Sequence, residues 1–162
     1  MKRIFSLALA LCLLLAVPAV METDAFTSAS VSDYYGAFAL TEGELMEALN
    51  SFSGFYLIAT TNPDGSPNVG YFIFGCKELN GQYYLQMGLA ENQTLQNLMR
   101  DKEGVAVYAA TPGTGEEDKP YAVSGARIRF NIVEDEELIK ELQGDAERPS
   151  LYGEFVEVLP LG

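Results

Sequence analysis

Two tight-turn signals set between short strand-like runs constrain this chain more than any other feature. Asn62-Pro63-Asp64-Gly65-Ser66-Pro67 separates the run GFYLIATT at 54–61 from NVGYFIFG at 68–75. Pro63 presets its own φ, and Gly65 supplies the residue that tolerates a left-handed backbone. Asn80-Gly81 then separates the second run from a third at 83–87. An Asn-Gly pair is the strongest short-range sign of a two-residue hairpin. Strands joined by such turns run antiparallel, so three in succession predict a meander.

The flanking segments change period. Thr41 and Glu44 fit a capping box, and Leu45, Leu49 and Phe52 share one helical face after it. A second helix is predicted from Glu91 or Asn92 to about Lys102, with Leu95, Leu98 and Met99 on its buried side. Further strands are expected at 105–110, 121–133 and 155–159, with an acidic amphipathic helix at 135–142. The first of these strands is followed by a Gly- and Pro-rich loop at 111–120. It carries Glu116, Glu117 and Asp118 at a spacing that does not match an EF-hand. The expected class is mainly β with α: an antiparallel barrel, closed or nearly so, with flanking helices. Closure is the economical way for such a strand set to lose its exposed edges. The aromatics Tyr56, Tyr71, Phe72, Phe74, Tyr83 and Tyr84 are read as core or subunit-interface residues.

The N-terminus reads as an export signal: Lys2 and Arg3, an apolar run to Val17, and small residues through Ala19. The expected organisation is a signal peptide at 1–19, a tether or docking segment at 20–40 and one domain at 41–162. The protein is expected outside the cytoplasm, with no membrane attachment after cleavage. An uncleaved anchor and a later start at Met21 are the alternatives. Cleavage would discard Cys12 and leave Cys76, so the mature chain would have no internal disulfide. Loss of Lys2 and Arg3 would move the net charge from −13 to −15. Such a charge disfavours nucleic acid and anionic lipid. The sequence has no His, which removes Ser-His and Cys-His catalysis and His-ligated metal. No metal site and no general acid or base is assigned. Cys76 is read as a small apolar filler.

Four features in fixed order carry a resemblance. They are the strand Tyr56-Leu57-Ile58-Ala59-Thr60 with its Asp64-Gly65-Ser66-Pro67 turn, the return Pro67-Asn68-Val69, Tyr83-Tyr84-Leu85 after the Asn80-Gly81 hairpin, and Asn92 to Arg100 before Gly104-Val105-Ala106-Val107. Ser124-Gly125-Ala126-Arg127 adds a small-residue start to the long strand. Over about residues 45 to 140 the chain resembles the pyridoxamine 5'-phosphate oxidase-like family of flavin-binding split barrels. The resemblance implies a split antiparallel β-barrel, a homodimer, and flavin mononucleotide (FMN) in a cleft between subunits. It places Pro67, Asn68 and Val69 beside the flavin ring, with Met87, Gly88 and Leu89 near it. It places Asn92, Gln93, Thr94, Asn97 and Arg100 near the phosphate. Many members carry Arg-Lys or a lone Lys where this chain has Asn92-Gln93. The same residues also read as an ordinary helix cap and first turn, and Arg100 as a last-turn cation. The implied function is a flavin-dependent oxidoreductase of unassigned substrate. The alternative is a non-enzymatic exported split barrel that binds another small ligand or a protein partner.

Overall fold

The computed structural model describes residues 36–111 and 123–162. The expected signal peptide, most of the expected tether and the acidic trio at 116–118 lie outside the described residues. No helix among the described residues is long and apolar enough to cross a membrane.

The described chain begins with helix α1 (Glu42–Asn50), then strands β1 (Phe55–Thr61), β2 (Pro67–Tyr71), β3 (Phe74–Leu79) and β4 (Gln82–Met87). Helix α2 (Gln93–Asp101), β5 (Glu103–Ala110), β6 (Ser124–Ile132), α3 (Glu136–Gln143) and β7 (Leu151–Leu159) follow. The strands form one antiparallel sheet in the order β2-β1-β5-β6-β7-β4-β3.

The two turns fold as their sequences require. In the first, the Gly65 N–H donates to the Asn62 carbonyl at 2.9 Å with Gly65 at φ 82°. The Asp64 carboxylate accepts from the Ser66 N–H at 3.0 Å and the Ser66 hydroxyl at 2.6 Å. In the second, Asn80 and Gly81 both take positive φ, the requirement of a type I′ hairpin.

The expected three-strand meander is corrected in one respect. The run 68–75 is not one strand but two, β2 and β3, which stand at opposite edges of the sheet. The break falls at Phe72 and Ile73. The Phe72 N–H still bonds the Tyr56 carbonyl at 3.0 Å, and its ring folds back over Gly70. A Cβ at position 70 would lie 2.4 Å from that ring, so the glycine makes the fold-back feasible. Only two residues separate the edge strands, which keeps their ends within about 11 Å. The sheet must therefore curl until its edges adjoin, which makes a split barrel.

The core fills the barrel interior. Tyr56 and Ile58 from β1, Phe74 from β3, Leu85 and Met87 from β4, and Ile128 and Phe130 from β6 meet Leu45 and Leu49 of α1. The Tyr56 ring packs edge-on against Phe74 and Tyr108, and its hydroxyl donates to the Leu49 carbonyl at 3.0 Å. Phe52, expected on the buried face of α1, is instead 61% exposed. It lies beyond the last helical turn with φ 53°, so the helical period no longer applies to it. Cys76 is buried, and burial pushes its thiol pKa up to about 12, as befits a filler. A second cluster covers the outside of β4 and β7, where Tyr84 and Tyr152 pack against Leu142 of α3.

Candidate functional site

Helix α2 packs across β1, β2 and β5. Asn92 caps it, accepting from the Leu95 N–H at 3.0 Å, and Lys102 ends it in a left-handed turn at φ 62°. Of the residues expected on its buried side, Leu98 is fully buried, Leu95 half-buried and Met99 46% exposed. The helix is rotated from that expectation. Thr94, Asn97 and Leu98 form its buried stripe.

The rotation buries two polar side chains, and the ends of β1 and β2 supply their partners. The Asn97 amide donates to Thr60 Oγ1 and to Asn62 Oδ1, each at 3.0 Å. Its carbonyl oxygen accepts from Gln93 Nε2 at 2.8 Å and from Arg100 Nη1 at 3.3 Å. Asn68 donates to Thr60 Oγ1 at 3.0 Å and to Thr94 Oγ1 at 2.9 Å. Among the described residues no buried side-chain nitrogen or oxygen lacks a partner. The network is complete without a ligand. The Thr94 hydroxyl accepts within it and keeps its own proton to donate.

The structure thus brings together Asn68, Gln93, Thr94, Asn97 and Arg100, and adds Thr60 and Asn62, which the sequence reading did not assign to the site. Their signal was the polar side chains at the β1 end and the turn, opposite an i, i+3 pair of Thr and Asn on the helix. Pro67 and Val69 belong to the other face. They alternate with Asn68 along β2 and point out of the barrel beside Thr61 and Ala59. Only the edge of β2 touches both sets, and that edge has no strand partner among the described residues. The Met87 side chain lies in the core, Gly88 is exposed, and Leu89 packs against the core. Among these, Gly88 offers backbone alone.

A cleft of about 170 Å³ opens on the outer side of β1, lined in part by Ala59, Thr61, Asp101, Val105 and Arg129. The outer face beyond it is apolar. Phe55 and Val69 are each 62% exposed and Tyr71 58%, with Leu57 and Val107 between them in register.

Charge around the site is already paired. The Arg100 guanidinium holds Asp101 at 2.6 Å through both Nε and Nη2, and also donates to the Thr61 carbonyl. This pairing holds the Asp101 carboxyl below its usual range. Lys102 holds Glu134 at 2.6 Å, and Arg129 holds Glu157 at 3.3 Å. No group of metal-ligating side chains occurs among the described residues.

No family model matches the sequence, and no curated protein does. Solved structures do. An FMN-binding protein of Syntrophomonas wolfei superposes with TM-score 0.51 at 13% identity, over 74% of this chain and 85% of that one. A provisional pyridoxamine 5'-phosphate oxidase of Lactobacillus delbrueckii gives TM-score 0.50 at 21% identity, over 74% and 93%. The expected fold is therefore found: the chain has the split-barrel fold of these solved structures, mainly β with three helices among its described residues.

Proposed function

We propose that this protein binds a flavin along the free edge of β2 and serves as a flavin-dependent oxidoreductase, exported and working as a homodimer. The observation that carries the reading is the polar network joining Asn68 on β2 to Thr94 and Asn97 on α2, within a fold whose solved neighbours include an FMN-binding protein. The network fixes the helix start against the strand edge, a pre-organised wall for a ligand with one flat and one polar end.

The donor set fits part of FMN. Val69 and Pro67 present an apolar rim for the ring. The Thr94 hydroxyl and the first N–H groups of α2 offer donors to the ribityl arm and its end, where the helix dipole favours oxygen acceptors. A bound flavin would supply the electron chemistry, and this chain would orient it and exclude water from one face. No residue is assigned a proton-transfer role.

The outer face supports the homodimer. An apolar surface over β2, β1 and β5 lies bare among the described residues, while α3 covers the outside of β4 and β7. A second copy is the occupant the fold resemblance implies. It would also supply a wall beside the open β2 edge, which has no strand partner among the described residues.

The test is spectroscopic. Added flavin should show a shifted visible band and quenched fluorescence, saturating at one flavin per chain. An unchanged spectrum at large excess of both riboflavin and FMN overturns the reading. It would favour the alternative of a split barrel that binds another ligand or a protein partner.

A further inference from the structure

The flavin reading leaves open which form of flavin the site selects, and the charge arrangement decides it. A phosphate dianion held without a free cation must rely on neutral donors alone. At the start of α2 these are the Thr94 hydroxyl, the Gln93 side chain and the first backbone N–H groups. The charged residue next to the Asn92 cap is Glu91, an anion. Arg100 stands six residues further on, about 9 Å along the helix axis from Thr94. Its guanidinium is held by Asp101 through two 2.6 Å contacts and turned toward the Thr61 carbonyl.

Two further cations among the described residues are paired as well. On the outer face Arg129 already holds Glu157, and at the end of α2 Lys102 holds Glu134. The whole chain carries 23 acidic residues against 10 basic ones. What the site has in quantity is neutral: Asn62, Asn68, Gln93 and Asn97 amides and Thr60 and Thr94 hydroxyls, all within one hydrogen-bonded group. Most of these are spent on one another and Asn97 is fully buried, so what remains for a ligand is the Thr94 proton, the exposed Gln93 amide and the first N–H groups of α2, neutral donors that suit the hydroxyls of a polyol. None of them offers a dianion an opposite charge.

Resting on the flavin reading above, we infer that the site takes a flavin through its uncharged ribityl arm and gains little from a terminal phosphate. Riboflavin is then as good a ligand as FMN, and Asp101 is the residue that keeps the phosphate from counting.

The experiment is calorimetric titration of the whole protein with riboflavin and with FMN, at low and at physiological salt, repeated on Asp101→Asn. In the wild type the two dissociation constants should agree within about threefold. A free cation would instead favour FMN by about tenfold or more, the scale of a hydrogen bond between charged groups. FMN affinity should change little with salt, since no net ion pair forms. Asp101→Asn releases Arg100, so FMN should bind about fivefold tighter or more while riboflavin is unmoved. Preference for FMN by tenfold or more in the wild type, lost at high salt, overturns the inference and leaves the flavin reading standing. Failure of both flavins to bind overturns the flavin reading itself. Should the variant misfold, the wild-type comparison decides alone.

Discussion

Asn97 is the side chain on which the site's architecture turns, and replacing it has a calculable cost. It is fully buried and makes three hydrogen bonds of 2.8–3.0 Å, with a fourth at 3.3 Å to the exposed Arg100. Each of the three shorter bonds contributes about 1 kcal/mol net, and an orphaned buried partner costs about 1–3 kcal/mol. Asn97→Ala should therefore lower stability by about 3 kcal/mol, with part of the loss due to the space left. Asn97→Leu separates the two causes, because it fills the space and restores none of the bonds. Both variants should shift the urea midpoint to lower denaturant at unchanged slope, by at least about 2 kcal/mol. The reasoning is refuted if Asn97→Leu is as stable as the wild type, because burial alone would then explain the position.

Two other consequences are open to measurement. An added Cβ at Gly125 would lie 2.1 Å from the Tyr108 carbonyl oxygen and 3.0 Å from the Ala109 Cα, both backbone. Gly125→Ala should cost more than about 3 kcal/mol and show as loss of soluble protein or a large drop in melting temperature. Cys76 in the folded state has its pKa raised from an ordinary 9.0 to about 12 by burial. The unfolded chain therefore loses this proton first. The contribution is intact below about pH 9 and stability falls as pH rises from there toward about 12. Cys76→Ala should flatten that alkaline decline in a pH series of denaturation midpoints, and an unchanged decline would assign it to other groups.

Local chemistry made much of the fold legible. The Asp64-Gly65 and Asn80-Gly81 turns, the Asn92 and Asp135 caps and the alternation through Ala126, Ile128 and Phe130 each fold as their residue types require. What was not legible depends on distant partners. The stretch 68–75 is apolar throughout its middle, so nothing local marks the break at Phe72 and Ile73. The break follows from a ring packing over Gly70 and from β3 pairing with β4 instead of continuing beside β1. Helix α2 shows the same dependence. Its apolar residues Leu95, Leu98 and Met99 predict one face, yet Thr94 and Asn97 are buried because Thr60, Asn62 and Asn68 wait opposite them. A polar pair on a helix is a core signal only when its partners are known. That is why Thr60 and Asn62 escaped the sequence reading, although five of its proposed contacts meet in the network.

The central claim is that a flavin lies against the β2 edge and the start of α2. Backbone amide NMR of the labelled protein, titrated with riboflavin, tests it most directly. The account predicts saturable shifts concentrated at 67–70 and 92–97, with α3 and the segment after it unaffected. Shifts centred on α3 and 144–150, or none at all at saturating riboflavin and FMN, would contradict it.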